Sequence, residues 1–220
     1  MFNIALDGPG GAGKSSIAKA VAKELGFIYV DTGALYRAIG LYSLRNAIDT
    51  RDIDGVINSL KSINVDFTYV DGEQKVLLNN DDVSTDIRLP EVSMAASNVS
   101  AIPEVRSFLL DLQRKIANEK DCLMDGRDIG TVILPNAQLK IFLTASAEVR
   151  AKRRFDELTA KGQEVNYDEI LKDLNERDYQ DTHREIAPLK QADDAVLLDT
   201  SDMTFDEVKA KILALYEERK

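Results

Sequence analysis

A glycine-rich octapeptide near the start of the chain limits the folds that this sequence can adopt. Residues 8–15 read Gly-Pro-Gly-Gly-Ala-Gly-Lys-Ser and match the pattern G-x-x-x-x-G-K-[ST]. The apolar run Ile4–Leu6 precedes the motif, and a helical pattern through Ile17, Val21 and Leu25 follows it. In this strand, loop and helix order, the backbone N–H groups of the motif surround a phosphate chain. The sequence therefore predicts a phosphate-binding loop.

The residues of this loop suit a nucleotide with a bound metal ion. Lys14 adds a point charge for the transferred phosphate, and the Ser15 hydroxyl can ligate Mg²⁺. The other candidates for binding the phosphates are Gly8, Pro9, Gly10, Gly11, Ala12, Gly13 and Ser16. A phosphate loop alone leaves GTPase switches, motors and kinases open.

The chain contains five short apolar runs, and a polar residue directly follows each of them. They are Ile4–Leu6, Ile28–Val30, Leu123–Met124, Lys140–Leu143 and Val196–Leu198. Such runs are typical of strands in a parallel sheet that helices cover on both faces, which predicts an α/β fold. Because ligands bind at the carboxyl ends of such strands, we expect the chemistry along one edge of the sheet.

Residues 37–118 depart from this alternation. Between Asn64 and Val83, apolar and polar residues alternate around a predicted hairpin turn at Asp71-Gly72, which indicates a small antiparallel insert. Pro103 then opens a helix, and its predicted buried face consists of Val105, Phe108, Leu109, Leu112 and Ile116.

A second excursion covers about residues 150–184 and is polar and highly charged. Three predicted helix signals frame it: Ser146 as an N-cap, Gly162 as a helix end, and Asn166 with Glu169 as a second N-terminal cap. The last helix begins with the similar pair Thr204 and Glu207. We expect this helix to dock on the core through Phe205, Val208, Ile212 and Leu215.

Charge and composition exclude several classes of function. Lys and Arg number 28 against 38 Asp and Glu, so the net charge of −10 argues against a nucleic-acid partner. The single Cys122 excludes an internal disulfide and is expected as an apolar filler, and the single His183 leaves no histidine cluster for a metal. No signal peptide and no apolar stretch of roughly 20 residues is readable, so we expect a soluble cytoplasmic protein without membrane contact.

Two groups of arginines have the spacing of a helix face. Arg150, Arg153 and Arg154 are spaced i, i+3, i+4, and Arg177, Asp181 and Arg184 follow at i, i+4, i+7. Each face could be an ordinary solvated surface. Behind a phosphate loop in an acidic protein, we interpret both as groups that bind phosphate.

Two further motifs follow predicted strands. Residues 31–37, Asp-Thr-Gly-Ala-Leu-Tyr-Arg, offer the Thr32 hydroxyl and Arg37 to a second phosphate, unless Thr32 serves only as a helix cap. Residues 125–128, Asp-Gly-Arg-Asp, place Asp125 where a Walker B acid would hold a Mg²⁺ water, with Arg127 and Asp128 facing a ligand. The alternative for this motif is a tight turn with a surface ion pair.

These motifs together resemble the bacterial cytidylate kinases, which belong to the nucleoside monophosphate kinase group of P-loop kinases. The resemblance covers nearly the whole chain and includes the phosphate loop, residues 31–37, the antiparallel insert, residues 125–131 and residues 176–189. It implies a five-stranded parallel sheet with helices on both faces, a core of residues 1–36 and 119–220, a monophosphate-binding region at 37–118, and a helical lid within about 150–184. It also implies ATP and Mg²⁺, the acceptors CMP and dCMP, and a monomer.

The resemblance also assigns roles to individual residues. It places Thr32, Arg37, Arg127 and Arg184 around the phosphate of the acceptor. Its ribose would contact Arg177 and Asp181, and its cytosine would contact Ser97, Arg106 and Asp128; Ser15 and Asp125 would hold the metal. The residues that we expect to act in catalysis, from the phosphate loop and the arginine motifs, are Lys14, Arg127, Arg153 and Arg154. The family often has serine at position 32 and threonine at position 16, but the hydroxyl group is kept at both.

The sequence leaves two other hypotheses about the function. Another P-loop kinase with UMP or AMP as its acceptor would use the same loop. A GTPase switch would need an N-K-x-D guanine motif, which the sequence lacks.

Overall fold

The computed structural model of the chain describes residues 1–70 and 73–220, so the predicted turn at Asp71-Gly72 lies outside the described residues. The chain forms two compact units. We call residues 1–29 and 120–220 the core unit and residues 30–119 the insert unit. Residues 30–36, which the sequence analysis grouped with the core, belong to the insert unit.

Strands and helices alternate along most of the chain. The strands are β1 (Asn3–Asp7), β2 (Ile28–Asp31), β3 (Val65–Val70), β4 (Glu73–Leu78), β5 (Asp81–Asp82), β6 (Cys122–Gly126), β7 (Leu139–Thr144) and β8 (Val196–Asp199). The helices are α1 (Lys14–Leu25), α2 (Thr32–Arg45), α3 (Ile53–Ser59), α4 (Pro90–Ser100), α5 (Pro103–Glu119), α6 (Ala147–Ala160), α7 (Tyr167–His183) and α8 (Phe205–Glu217). A single turn of π-helix, Ile129–Ile133, follows β6.

The five predicted apolar runs form one five-stranded sheet in the order β2-β6-β1-β7-β8, which confirms the predicted fold class. The strands on both sides of β1 run parallel to it: Asp7 pairs with Gly126 of β6 and with Phe142 of β7. These strands therefore end at one edge, where the glycine-rich loop follows β1 and where residues 125–128 form the end of β6 and the start of the turn after it.

Apolar residues of the strands and of two helices build the interior of the core unit. Ile4 and Leu6 are almost fully buried, in one apolar cluster with Ile17 and Val21 of α1 and Ile212 of α8. The short strands read as continuous apolar runs because a parallel sheet is buried on both faces. Cys122 is also fully buried, which confirms it as an apolar filler, and burial raises the pKa of its thiol to about 12.

The N-terminus of α8 has the predicted capping box, since Thr204 and Glu207 each accept a hydrogen bond from the backbone of the other. Val208, Ile212 and Leu215 are buried as expected, but Phe205 is 48% exposed. Phe205 is the first residue of the helix and lies before its docked face begins. The prediction that it packs on the core was wrong.

The insert unit contains the predicted antiparallel strands β3 and β4, and the short β5 extends this sheet. In α5, Val105 and Leu109 are buried as predicted, whereas Phe108 is 39% exposed. The buried face is completed by polar residues, Arg106 and Gln113, and by Ala117. The predicted face was therefore wrong at Phe108, because the apolar spacing gave no weight to the buried polar side chains.

The charged helices α6 and α7 begin where the sequence predicts, and α6 also ends there. Ser146 caps α6 by accepting from the Val149 N–H, Gly162 has a φ of 75° just after this helix, and Asn166 accepts from the first N–H groups of α7. Within the described residues, no helix has the length and apolar content that a membrane span needs.

Candidate active site

Glycine is required at several positions of the loop after β1. Gly8, Gly11 and Gly13 have φ values of 149°, 75° and 86°, which L-residues with a side chain rarely adopt. A Cβ on Gly8 would also lie 1.9 Å from the carbonyl oxygen of Leu143. The loop therefore packs its backbone directly against β7 at Gly8.

Lys14 begins α1 and turns back over the loop. Its Nζ donates to the carbonyl oxygens of Gly8 and Pro9, both at 2.7 Å, and the side chain is buried. Burial and the nearby Arg127 charge hold the pKa of Lys14 well below its usual value, while Asp125 acts in the opposite direction. The negative charge of the nearby carboxylates does not fully offset the burial of the ammonium group and the Arg127 charge. A bound phosphate would supply the negative charge that stabilises the ammonium form.

Ser15 and Asp125 meet at the carboxyl ends of the strands. The Ser15 hydroxyl donates to Oδ2 of Asp125 at 2.8 Å, and the Tyr29 hydroxyl donates to Oδ1 at 3.2 Å. The pairing that the sequence predicted for a metal site therefore exists in the core unit. No cluster of three or more His, Cys, Asp or Glu side chains that could hold a metal occurs in residues 1–70 and 73–220.

A buried ion pair joins the segment after β6 to α7. Arg127 Nε donates to Oδ2 of Asp181 at 2.8 Å, and Asp181 is only 3% exposed. Burial alone would raise the pKa of Asp181, but the charges of Arg127, Arg177 and Arg184 outweigh burial and lower it. This α7 face is therefore not a solvated surface, which was the alternative that the sequence left open.

A second buried pair lies beside the first. Arg184 Nη2 is 3.5 Å from Oδ1 of Asp128, and both side chains are buried. Arg184 follows the last residue of α7, and its Nε donates to the Ala187 carbonyl oxygen at 2.7 Å. The core unit thus brings together Lys14 and every candidate that the sequence placed in residues 125–128 and 177–184.

Arg150 contacts the phosphate loop; the sequence placed it on an arginine face expected to bind phosphate but gave it no role of its own. From α6, its guanidinium donates to the carbonyl oxygens of Ala145 at 2.9 Å and Gly10 at 2.8 Å, and to Oδ2 of Asp178 at 2.6 Å. The i, i+3, i+4 spacing indicated a shared face but not which arginine of that face would contact the loop.

The other two arginines of the same group are engaged elsewhere in this structure. Arg153 donates to the hydroxyl and the carbonyl oxygen of Thr200, at 3.2 and 2.6 Å. Arg154 forms an ion pair with Glu157 at 2.9 Å, and both side chains are more than 40% exposed. Their predicted catalytic role therefore requires a movement of these side chains.

In the insert unit, the N-cap of α2 decides between the two roles that the sequence left open for Thr32. Asp31, not Thr32, is the N-cap, since its side chain accepts from the Ala34 N–H at 3.1 Å. Thr32 is the first residue of the helix and is buried, and Nη1 of Arg37 donates to the Ile87 carbonyl oxygen at 3.3 Å. The Thr32 hydroxyl is therefore not needed as a cap.

Ser97 and Arg106, the two predicted base-binding residues of the insert unit, are both buried. Arg106 donates from Nη1 to the Ser100 carbonyl oxygen at 3.1 Å, and its guanidinium carbon lies 5.5 Å from the centre of the Tyr36 ring. A buried arginine that packs on an aromatic face is held in one orientation. A guanidinium fixed in this way suits hydrogen bonding to one edge of a bound base.

The fold and the loop define the class of the protein. A parallel sheet in this strand order, with a glycine-rich loop after its central strand and a lysine at the start of α1, is that of a P-loop kinase. Two solved structures are similar in fold. One is an uncharacterized protein from Eubacterium ventriosum, with a TM-score of 0.54, 13% identity and full coverage of both chains. The other is a shikimate kinase from Bacteroides thetaiotaomicron, with a TM-score of 0.50, 13% identity and 98% coverage of both chains.

Sequence comparison gives the family. The cytidylate kinase family model matches residues 4–218. A cytidylate kinase from Caldicellulosiruptor bescii is 51% identical over 98% of this chain and 95% of its own, and one from Lactobacillus johnsonii is 48% identical over 100% and 95%. The chain belongs to the cytidylate kinase family, and it is an ATP-dependent nucleoside monophosphate kinase.

Proposed function

We propose that the chain transfers the γ-phosphoryl group of ATP to CMP or dCMP and releases ADP with CDP or dCDP. The observation that carries the proposal is the group of buried charges at the edge of the core sheet, in which Lys14 covers the phosphate loop next to the paired Arg127 and Asp181. Family membership over nearly the whole chain supports cytidine monophosphates as the acceptor.

The reaction needs no general base from the protein. The nucleophile is a phosphate oxygen of the acceptor, and a phosphate monoester with a second pKa near 6 is largely a dianion at neutral pH. The single histidine, His183, stacks on Tyr179 near the end of α7 and is exposed. The task of the side chains is therefore to align two anions and to neutralise their charge.

Ser15 and Asp125 fit a magnesium ion. Mg²⁺ prefers oxygen ligands and commonly takes only one or two from the protein, with phosphate oxygens and waters completing its shell. The Ser15 hydroxyl and the Asp125 carboxylate already lie in contact. A Mg²⁺ ion bound there would neutralise charge on the phosphates of ATP.

Arginine and lysine side chains supply the positive charge of the transfer. Lys14 would bind the γ-phosphoryl group, and Arg127 would bridge towards the acceptor phosphate, which we propose also contacts Thr32, Arg37 and Arg184. The pKa of Arg127 is raised, because the attraction of Asp181 outweighs its burial. Arg127 therefore keeps its charge throughout the reaction.

We assign the rest of the acceptor to the residues that the family resemblance names. Its ribose would contact Arg177 and Asp181. Its cytosine would contact Ser97, Arg106 and Asp128. An arginine only donates and an ionised carboxylate only accepts, so Arg106 suits N3 and O2, and Asp128 suits the N4 amino group.

Water competes with the acceptor as a nucleophile, so we propose that the site is completed only on closure. The moving parts would be the monophosphate-binding region, residues 37–118, and the lid within about residues 150–184. The lid would bring Arg153 and Arg154 to the transferred phosphoryl group. Releasing Arg154 from Glu157 costs only about 0.3–0.5 kcal/mol, since the pair is exposed.

A side chain that acts only on closure should affect turnover more than binding. We expect Arg154→Ala to lower kcat at least about tenfold and to leave the KM values for ATP and CMP within about twofold. Steady-state kinetics would measure both. The matched control is Lys152→Ala, which removes another exposed cation of α6, one that pairs with Asp156. Equal kcat values for the two variants would remove Arg154 from the mechanism.

The acceptor itself is tested with CMP, dCMP, UMP, AMP and GMP in a coupled assay of ADP formation. We expect CMP to exceed UMP at least about tenfold in kcat/KM, because uracil presents O4 to Asp128 and leaves buried groups mispaired. Asp128→Asn should narrow this ratio mainly through lost activity on CMP.

Arg106→Ala should also narrow the ratio of kcat/KM for CMP to kcat/KM for UMP. The control is Arg114→Ala, on the exposed side of the same helix, which should leave this ratio unchanged. UMP or AMP as the best acceptor would favour the alternative kinases. ADP formation that does not depend on any added monophosphate would favour a nucleotide switch instead.

A further inference from the structure

The last residue of β1, Asp7, is a buried carboxylate with no role in the mechanism above. Only 4% of its surface is exposed. It precedes the phosphate loop by one residue, but its hydrogen bonds go to a different segment.

Both carboxylate oxygens of Asp7 bind the backbone of the turn that follows β6. The Ile129 N–H donates to Oδ1 and the Gly130 N–H donates to Oδ2, both at 2.8 Å. These are the first two residues after Asp128 and the first two of the π-helical turn. One side chain therefore fixes the backbone directly behind Arg127 and Asp128, 122 residues away along the chain.

The turn packs closely against Asp7 and Lys140 at Gly130. A Cβ on Gly130 would lie 3.1 Å from Cδ of Lys140 and 3.4 Å from Oδ2 of Asp7. The charged groups that act on the carboxylate are Lys14 from α1 and Asp128 from the turn, and the Lys140 side chain from β7 lies beside Gly130. Lys140 forms an ion pair with Asp194. Asp125, near the end of β6, accepts hydrogen bonds from Ser15 and Tyr29.

We propose that Asp7 is a positioning residue for acceptor binding: its charged carboxylate holds the 127–130 backbone so that Arg127 and Asp128 face the acceptor. The proposal rests on the proposed function only in taking Arg127 and Asp128 as acceptor-binding residues. A carboxylate can accept from both N–H groups, whereas a protonated carboxyl has an O–H donor that opposes one of them. Protonation of Asp7 should therefore loosen the turn.

The charge of Asp7 is lost at mildly acidic pH. Burial raises the pKa of Asp7 to about 6, and the Asp128 charge adds to the rise, although the two backbone hydrogen bonds and Lys14 act against it. Because the pKa is raised, Asp7 is charged above about pH 7 and becomes mostly protonated towards pH 5. Acceptor binding should weaken over this range.

The test compares the wild type with Asp7→Asn between pH 5 and 8. At pH 8 we expect the variant to have at least about tenfold lower kcat/KM for the acceptor, mainly through a higher acceptor KM, with the KM for ATP within about twofold. The ratio of wild type to variant should fall to within about threefold at pH 5. This ratio cancels the ionisation of the acceptor phosphate, which titrates in the same range and affects both proteins equally.

The matched control is Asp121→Asn. Asp121 also accepts a backbone N–H, that of Phe2 at 2.7 Å, at the opposite end of β1. It should leave the acceptor KM unchanged at every pH. A ratio that stays constant from pH 5 to 8 would reduce Asp7 to a structural role, and an unchanged acceptor KM at pH 8 would overturn the proposal.

A measurement on the wild type alone covers the case in which Asp7→Asn does not fold. In ¹H–¹⁵N spectra without nucleotide, the Ile129 and Gly130 amide signals should shift together with a midpoint near pH 6. A midpoint near the ordinary aspartate value of 3.8, or no shift, would overturn the proposal. If another monophosphate proves to be the acceptor, the proposed function fails, while the pH ratio measured with that acceptor and the amide titration still decide the role of Asp7.

Discussion

Lys14→Ala should lower kcat more than 100-fold while the fold persists. Negative charge moves towards the bridging oxygen and the leaving ADP as the γ-phosphoryl group transfers, so the ammonium stabilises the transition state more than bound ATP. A loss of 100-fold corresponds to about 2.7 kcal/mol of barrier. The structure adds a reason for the strength of this effect: Lys14 is buried, so its charge acts on a bound phosphate with little screening by water.

The measurement is single-turnover kinetics with saturating ATP and CMP, with circular dichroism to verify the fold. Lys23→Ala is the control, since Lys23 is an exposed cation of the same helix, about two and a half turns further on. It should retain kcat within about twofold. A Lys14→Ala variant with more than about a tenth of the wild-type kcat would show that the charge is not used in the transfer.

The sheet could be predicted from the sequence because its signal is local. Each strand is a short apolar run followed by a helical pattern, and a parallel sheet requires that arrangement. The phosphate loop was equally predictable, since the glycines that adopt positive φ are part of its motif. The same holds for Ser15 and Asp125, which meet because both follow neighbouring strands at one edge.

The contacts of Arg150 could not be predicted in the same way. Its spacing from Arg153 and Arg154 indicates one helix face, but the partner of each arginine depends on where α6 packs. That packing brings Arg150 to Gly10 and Asp178, 140 and 28 residues away in sequence. Long-range polar contacts of this kind leave no periodic signal in the sequence.

Phe108 and Phe205 show the opposite error, in which an apolar residue at helical spacing was taken as buried. The α5 face instead buries Gln113 and Arg106, and Arg106 lies against Tyr36. A face that buries polar side chains departs from apolar periodicity, so a prediction based on apolar spacing alone misplaces such a face.

Gly8→Ala should destabilise the protein by at least about 3 kcal/mol, whereas Gly13→Ala should cost only about 1 kcal/mol. Both glycines belong to the same loop and have positive φ, at 149° and 86°, so both substitutions strain the backbone. They differ in the space around the new methyl group. At Gly8 it would lie 1.9 Å from the backbone oxygen of Leu143, and at Gly13 nothing lies within 4 Å.

The clash at Gly8 is with backbone in β7, so it cannot be relieved by a rotamer change and must displace the end of β1 from its neighbour. Urea unfolding followed by circular dichroism would measure both variants, since the chain has no tryptophan. Activity is not a usable readout, because both glycines belong to the phosphate loop. Equal losses of stability would mean that positive φ alone demands glycine here, and that the close approach of the loop to β7 is not what fixes the loop in place.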